Sequence, residues 1–522
     1  GVGGVSEFVE LPNTWAFAPL SSIADVNPRS FCPLPSAVSQ PVHFVPMSAV
    51  TEEFGGIDIS ARRPLGDVQK GYTSFLTNDV LLAKITPCME NGKLALVPPL
   101  QDHLAFGSTE FHVLRAKDQV QPSWLAYFLS QSAFRRLARQ NMTGSAGQLR
   151  VATTWLSDAL IPVAPATEQT RIVAKLEELL SDLDAGVAEL KAAQKKLAQY
   201  RQSLLKAAVE GALTAEWRTQ HQPTETGAQL LQRILQERRA RWEARQRAKF
   251  AEQGKTPPKD WQKKYPEPVQ PDTTDLPELP QGWVWASLDQ LALDSSYGTS
   301  VKCGYESQGA SVLRIPNVIA RKLVLDDLKF ASQPLDLHKS EYLAPGDILV
   351  VRTNGSVSLV GRAAEVTEPL PGDFYFASYL LRVRCLETSV VHRWVSALLA
   401  SRQGRSWIES RAASSAGQHN LSLSTLLTIP IPLPPIVEQA EAMNALEAVL
   451  LSVSEQEQFL DKSLQQSTAQ RQNILRAAFS GQLVAQDPHD EPASALLERI
   501  RAERAARDAV KKPRGRKAQE AA

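Results

Sequence analysis

Two hydrophobic periods run along the chain, and the change from one to the other occurs twice. Over residues 11 to about 162 and 279 to about 432, short apolar runs such as Val80-Leu81-Leu82-Ala83 and Ile348-Leu349-Val350-Val351 are separated by Gly, Pro, Asn and Ser. That punctuation predicts strands and loops, with helices over 122–140 and 390–411. From Thr167 to Glu210 there is no proline, and Leu176, Leu183, Leu190, Leu197 and Leu204 recur at every seventh position. Ile172, Leu179, Ala193 and Tyr200 fill most of the alternate seam, which predicts a coiled-coil helix. A second proline-free stretch, Val437 to Ser480, carries Leu446, Val453, Leu460 and Ile474 at the equivalent positions, with Ser467 the weak one. Gly211 and Gly481 stand where C-terminal caps are needed. A helix of this length spans roughly 65 Å, too long for its seam to be buried on one small domain. Either each helix packs on its own domain or the two pack antiparallel on each other, and their equal lengths favour the second.

The chain also matches itself. Leu11-Pro12-Asn13-Thr14-Trp15 recurs as Leu279-Pro280-Gln281-Gly282-Trp283, and Ser145-Ala146-Gly147-Gln148 as Ser415-Ala416-Gly417-Gln418. Ile161-Pro162 with Glu168-Gln169 recurs as Ile431-Pro432 with Glu438-Gln439, Arg201-Gln202 as Arg471-Gln472, and Leu230-Leu231-Gln232-Arg233-Ile234 as Leu496-Leu497-Glu498-Arg499-Ile500. Five ordered blocks at nearly constant spacing predict an internal duplication. The predicted fold class is mixed α/β: two similar strand-rich α+β globules separated by two long antiparallel coiled-coil helices, with a pseudo-twofold internal duplication. The predicted boundaries are globule 1–165, helix 166–216, basic helical segment and Pro-rich linker 217–278, globule 279–435, helix 436–482 and basic helical tail 483–522.

Charge sharpens this picture. The 522 residues carry 57 Lys+Arg against 56 Asp+Glu, which excludes a uniformly basic nucleic-acid coat. The balance is an average: residues 191–264 hold 17 basic and 7 acidic residues, and 498–517 hold 9 and 3. Such runs are either solvated helix faces or surfaces for a polyanion. Seven prolines in 254–280 predict an extended spacer. Cys32, Cys88, Cys303 and Cys385 are scattered and form no CxxC pair, so neither a disulfide framework nor a zinc site is expected. With no long apolar run and no signal pattern, a soluble cytoplasmic protein is expected, and the opening Gly1-Val2-Gly3-Gly4 reads as a processed or appended end. No phosphate-binding GxxxxGK[ST], HExxH, GxSxG or Asn-Pro-Pro-aromatic motif occurs. The expectation is a non-catalytic binding subunit, with no catalytic, cofactor or metal residues.

The ordered motifs, together with the strand Pro345-Gly346-Asp347-Ile348-Leu349 and its counterpart Asn78-Asp79-Val80-Leu81-Leu82, resemble the specificity subunits of type I DNA restriction-modification enzymes over nearly the whole chain. The resemblance implies that each globule is a target-recognition domain reading one half of a bipartite, asymmetric site in double-stranded DNA. It implies that the paired helices act as spacer and docking surface for methyltransferase subunits, two in number, and through them restriction/translocase subunits. Adenine N6-methylation, S-adenosylmethionine, ATP and Mg then belong to the partners, in a bacterial or archaeal system of DNA methylation and phage defence. A coiled-coil protein-interaction scaffold is the alternative from another class, and an unfamiliar nuclease or methyltransferase a third.

Candidate DNA contacts follow from side-chain chemistry. Lys84 and Arg352 follow the central strands, and Thr86, Asn91, Lys93 and Thr353, Asn354, Ser356 supply polar groups on the adjoining loops. The two glycine loops add Ser145, Gln148, Arg150 and Ser415, Gln418, His419, Asn420. Arg and Lys read guanine and Asn or Gln reads adenine, whereas Ser and Thr more often hold phosphate. Gln148 and Gln418 occur in both copies, which favours a structural or phosphate role. For each of these residues, a tight turn or a solvated side chain is the competing reading.

Overall fold

In a computed structural model, the residues described are 11–28, 38–101, 104–145, 147–319, 321–385, 390–415 and 417–511. Cys32, Ala146, Ala416, the Gly1–Gly4 stretch and the tail from 512 onward lie outside them. The chain divides into two compact units, residues 1–191 with 461–522, and residues 192–460.

In the first unit, an antiparallel sheet orders its strands Ala24–Val26, Phe111–Ala116, Val80–Ala83 and Leu94–Leu96. A second sheet runs Arg62–Pro64, Pro41–Val45, Leu104–Gly107 and Thr73–Leu76, with one parallel pairing, 43–45 on 105–107. In the second unit the corresponding sheet runs Asp294–Tyr297, Leu380–Arg384, Asp347–Val351 and Ala363–Glu365. Val80–Ala83 and Asp347–Val351 are buried along their whole length, which is why they read as unbroken apolar runs. An aspartate with almost no exposure stands at the head of each, Asp79 just before Val80 and Asp347 as the first residue of its strand. Asp79 accepts two bonds from Arg115 (2.8 and 2.7 Å) and one from the Leu76 N–H. Asp347 accepts two from Arg384 (2.6 and 2.7 Å) and one from the Ala344 N–H.

The recurring motifs meet in space. In the first unit Trp15 Nε1 donates to Glu168 Oε2 (3.0 Å), and in the second Trp283 Nε1 donates to Glu438 Oε2 (2.9 Å). The Leu-Pro-x-x-Trp opening is therefore latched to the first turn of the long helix that follows the same domain, and Gln169 and Gln439 cap the backbone just before it, on Ala164 O and Pro434 O. The partners of the two glutamates differ. Glu438 also binds Arg218 and Thr214, whereas Glu168 binds Gln486, and burial raises the Glu168 carboxyl above the usual carboxylate range.

The long helices run Ala166–Val209 and Ile436–Phe479, and Gly211 and Gly481 follow them with φ of +77° and +73°. Of the seam positions, Leu176, Leu204, Leu446, Val453, Leu460 and Ile474 are buried, and Leu183, Leu190 and Leu197 are half-buried. Within the first unit Arg471 pairs with Asp184 and Arg171 with Asp490; within the second, Arg201 pairs with Glu457 and Arg218 with Glu438. In each unit residue numbers rise on one side as they fall on the other, an antiparallel order. Tyr200 departs from the expected seam, being 48% exposed, while the adjoining Leu204, Leu205, Ala208 and Val209 enter the second unit's core. A straight helix drifts against a strict heptad, and the globule packed on this end draws in the drifting face.

The predicted helix 122–140 is two helices, Pro122–Ser130 and Ser132–Gln140, and 390–411 is Val391–Ala400 and Arg402–Arg411. Ser401 restarts the latter pair by capping Gly404 N–H. The Pro-rich linker is extended but not free: Tyr265 is buried, its hydroxyl accepts from Arg238, and Trp261 stacks on Trp242. The basic helix Gly227–Glu252 buries Leu230 and Ile234, and much of its charge is compensated by pairs such as Arg233–Glu225, Arg238–Asp289, Arg241–Glu237 and Arg247–Glu243. The tail helix Ala493–Lys511 places Leu496, Leu497 and Ile500 in the first unit's core in the same manner. The helices Gly227–Glu252 and Ala493–Lys511 within the basic runs are thus packed on their own units through apolar side chains. Among the described residues no helix is long and apolar enough to cross a membrane, and no cluster of His, Cys, Asp and Glu is placed to hold a metal ion.

Candidate nucleic-acid interface

The glycine loops and the central-strand exits, far apart in sequence, come together in both units. In the first, Met142–Ser145 and Gln148–Val151 form a hairpin in which Ser145 faces Gln148. Thr86 binds across to it: its N–H donates to Leu149 O (3.0 Å), and its hydroxyl accepts from Leu149 N–H (3.1 Å) and donates to Gly147 O (3.3 Å). In the second unit Thr353–Asn354 pairs with Gln418–Asn420, itself paired with Ala413–Ser415. Gly147 and Gly417 take φ of +85° and +78°, a region open to glycine, which explains that residue at both tips.

Of the candidates, Lys84, Thr86, Ser145, Gln148 and Arg150 therefore share one edge of the first unit, and Arg352, Thr353, Asn354, Ser415, Gln418, His419 and Asn420 share the matching edge of the second. Gln148 and Gln418 are exposed at the tips. Ser356 is exposed beyond the Asn354 turn, where its N–H donates to Asn354 Oδ1. Asn91 and Lys93 lie apart from the hairpin. Asn91 donates to Glu52 (2.7 Å), and Lys93 Nζ donates to Met47 O (3.1 Å), so both fasten the 47–54 loop. Thr86 uses both faculties of its hydroxyl inside the hairpin, a structural role.

Several residues at these edges carry no signal in a single-sequence reading. Glu110 holds Arg150 through Nε and Nη2 (3.0 and 2.9 Å), and this bond keeps the Glu110 carboxyl below its ordinary range. Beneath it His112, 2% exposed, contacts Val151 O through Nε2 (2.8 Å) and Asn27 Nδ2 through Nδ1 (3.1 Å). Burial lowers its pKa, and the two ring contacts fix its orientation. In the second unit Arg352 lies over the Tyr297 ring, 4.9 Å from its centroid, and Tyr297 and Tyr379 are 46% and 56% exposed. Exposed aromatics beside Arg, Asn and Gln form an edge suited to nucleobases. These residues could be found only by superposing the repeats through the buried Arg115–Asp79 and Arg384–Asp347 pairs.

The chain thus holds two strand-rich units, each latched to a long helix and each presenting a polar hairpin edge, and comparison with known proteins finds relatives of this kind. The chain is 27% identical to the type I restriction enzyme EcoEI specificity subunit of Escherichia coli, over 84% of this chain and 78% of that protein. It is 29% identical to the EcoAI specificity subunit of Escherichia coli, over 59% of this chain and 56% of that one. A solved chain of a type I R-M system shares the fold, with a TM-score of 0.62 at 20% identity, covering 91% of this chain and all of that one. No family model matches. The chain is thus similar to type I restriction enzyme specificity subunits over much of its length.

Proposed function

We propose that the chain is the sequence-specific DNA-binding specificity subunit of a type I restriction-modification complex, reading a bipartite, asymmetric site with one domain per half. The observation that carries this reading is the pair of hairpin edges: one backbone arrangement occurs in both units, furnished with different polar side chains at equivalent positions. A shared scaffold that carries different side chains beside identical tips is what two readers of different half-sites require. The ion pairs that join the two long helices, Arg471–Asp184 in the first unit and Arg201–Glu457 in the second, support a coiled-coil spacer, whose length sets the gap between half-sites and whose outer faces dock methyltransferase subunits. On this reading the chain is non-catalytic and works in the cytoplasm. Methyl transfer to adenine, S-adenosylmethionine, ATP and magnesium belong to the partner subunits, two methyltransferase subunits and the restriction subunits they recruit.

Base reading requires little net charge at the base edges, because partner subunits add phosphate clamps; the pairing of the basic helices' own charge is therefore compatible with the function. Retention of the partner-containing complex on a randomised duplex pool tests it. Enrichment of a split motif is expected; retention without sequence preference would favour a coiled-coil protein-interaction scaffold.

A further inference from the structure

We propose that the position held by Arg150 in the first unit and by Asn420 in the second is a base-reading position, taking guanine through Arg150 and adenine through Asn420. The inference rests on the DNA-reading function proposed above and adds which residue reads and what it selects.

Backbone hydrogen bonds establish the equivalence. The N–H groups of Val151 and Leu421 donate to the carbonyls of Lys84 and Arg352 (2.9 and 2.8 Å), whose own N–H groups donate to Glu110 and Tyr379 (2.9 and 2.8 Å). Positions 150 and 420 thus occupy one place on one lattice, and positions 110 and 379 flank them. The side chains there share no chemistry: a Glu–Arg pair in the first unit, Tyr and Asn in the second. A phosphate contact would have no reason to differ, since the DNA backbone is uniform, and Gln148 and Gln418 at the tips of the same hairpins are indeed identical. The tips are alike while the strand behind them differs, Leu149-Arg150 against His419-Asn420, and among these the change from Arg150 to Asn420 exchanges one base-edge chemistry for another, which fits a base edge.

The donor inventory selects the base. A guanidinium has five N–H donors. Arg150 uses Nε and one Nη2 hydrogen on Glu110, and one Nη1 hydrogen on Gln148 O (3.4 Å). One hydrogen remains on each terminal nitrogen, and these two donors suit the paired acceptors O6 and N7 of guanine. Glu110 fixes the plane of that fork, which removes rotational freedom that a free arginine would have to lose on binding. Among the described residues no hydrogen bond engages the Asn420 carboxamide, whose adjacent donor and acceptor match N6 and N7 of adenine.

The test is selection from a randomised duplex library by the full chain assembled with its methyltransferase partners. The wild type is expected to select guanine at one position of one half-site and adenine at one position of the other. Arg150→Lys keeps the charge and loses the fork, so guanine preference should fall about 5- to 150-fold at that position with the remaining motif intact. Glu110→Gln should relax the same position and no other, and Asn420→Ala should relax a single adenine in the other half. An unchanged motif with Arg150→Lys, or an equal loss of affinity on all sequences, would overturn the assignment while leaving the DNA-reading function standing. A wild-type complex that selects no sequence would overturn both.

Discussion

Removing the arginine from the buried pair at the start of the second unit's central strand should cost more than any surface ion pair in the chain. Asp347 is fully buried, and Arg384 supplies Nε and Nη2 to its two oxygens at 2.6 and 2.7 Å while also bonding the carbonyls of Ser340 and Tyr342 at 2.6 and 2.8 Å. In Arg384→Met the carboxylate keeps one neutral donor, the Ala344 N–H at 2.9 Å. Breaking a buried pair from one side costs about 3–5 kcal/mol, because the remaining charge is uncompensated. With a urea m-value of about 2–3 kcal/mol/M, the midpoint should fall by about 1–2.5 M. Adding Asp347→Asn removes the stranded charge, so the double variant should recover much of the loss. In the first unit the Arg115 side chain is 35% exposed, against 18% for Arg384, so Arg115→Met should cost less. A midpoint for Arg384→Met within about 0.3 M of wild type, or a double variant no more stable than the single one, would refute the reasoning.

Other consequences are open to measurement. Burial pushes the Glu365 carboxyl up to about 7 against the opposing pull of Arg321, and because its folded pKa lies above its unfolded one, stability should fall as pH rises from about 4.5 to about 7 and level off beyond. Glu365→Gln should remove that slope, as thermal unfolding at several pH values across this range would read. Leu446→Ala, at a fully buried seam position, should cost about 2–5 kcal/mol in urea unfolding. Leu190→Pro should break the first long helix near its middle; native mass measurement of the assembled complex should then show lost methyltransferase subunits, and an unchanged mass would count against the spacer as docking surface.

The long helices were legible because a heptad seam is a one-dimensional signal, and Leu176, Leu446 and Val453 lie where it puts them. The recurrence of Trp15, Glu168 and Gln169 as Trp283, Glu438 and Gln439 has a physical reason: in each unit the Trp–Glu bond and the Gln cap fasten the same turn. Tyr200 was misplaced because helix drift depends on what packs alongside, which periodicity does not report. The linker around Tyr265 was read only as an extended spacer, because proline content reveals extension and says nothing about docking on Trp242 and Arg238. At the hairpin edges, glycines and polar residues marked the loops, yet Glu110 and Tyr379 acquire meaning only from the backbone lattice that sets them beside Arg150 and Asn420. Asn91 and Lys93 show the converse: their residue types suit DNA contact, and their hydrogen bonds to Glu52 and Met47 use them to hold a loop.

The central claim, two independent readers in one chain, is tested most directly by exchanging residues 11–162 for the matching domain of a relative and sequencing the sites methylated by the reconstituted complex. The account predicts that one half of the recognised sequence changes while the other half and the gap stay as they were. Change in both halves together, or in neither, would contradict it.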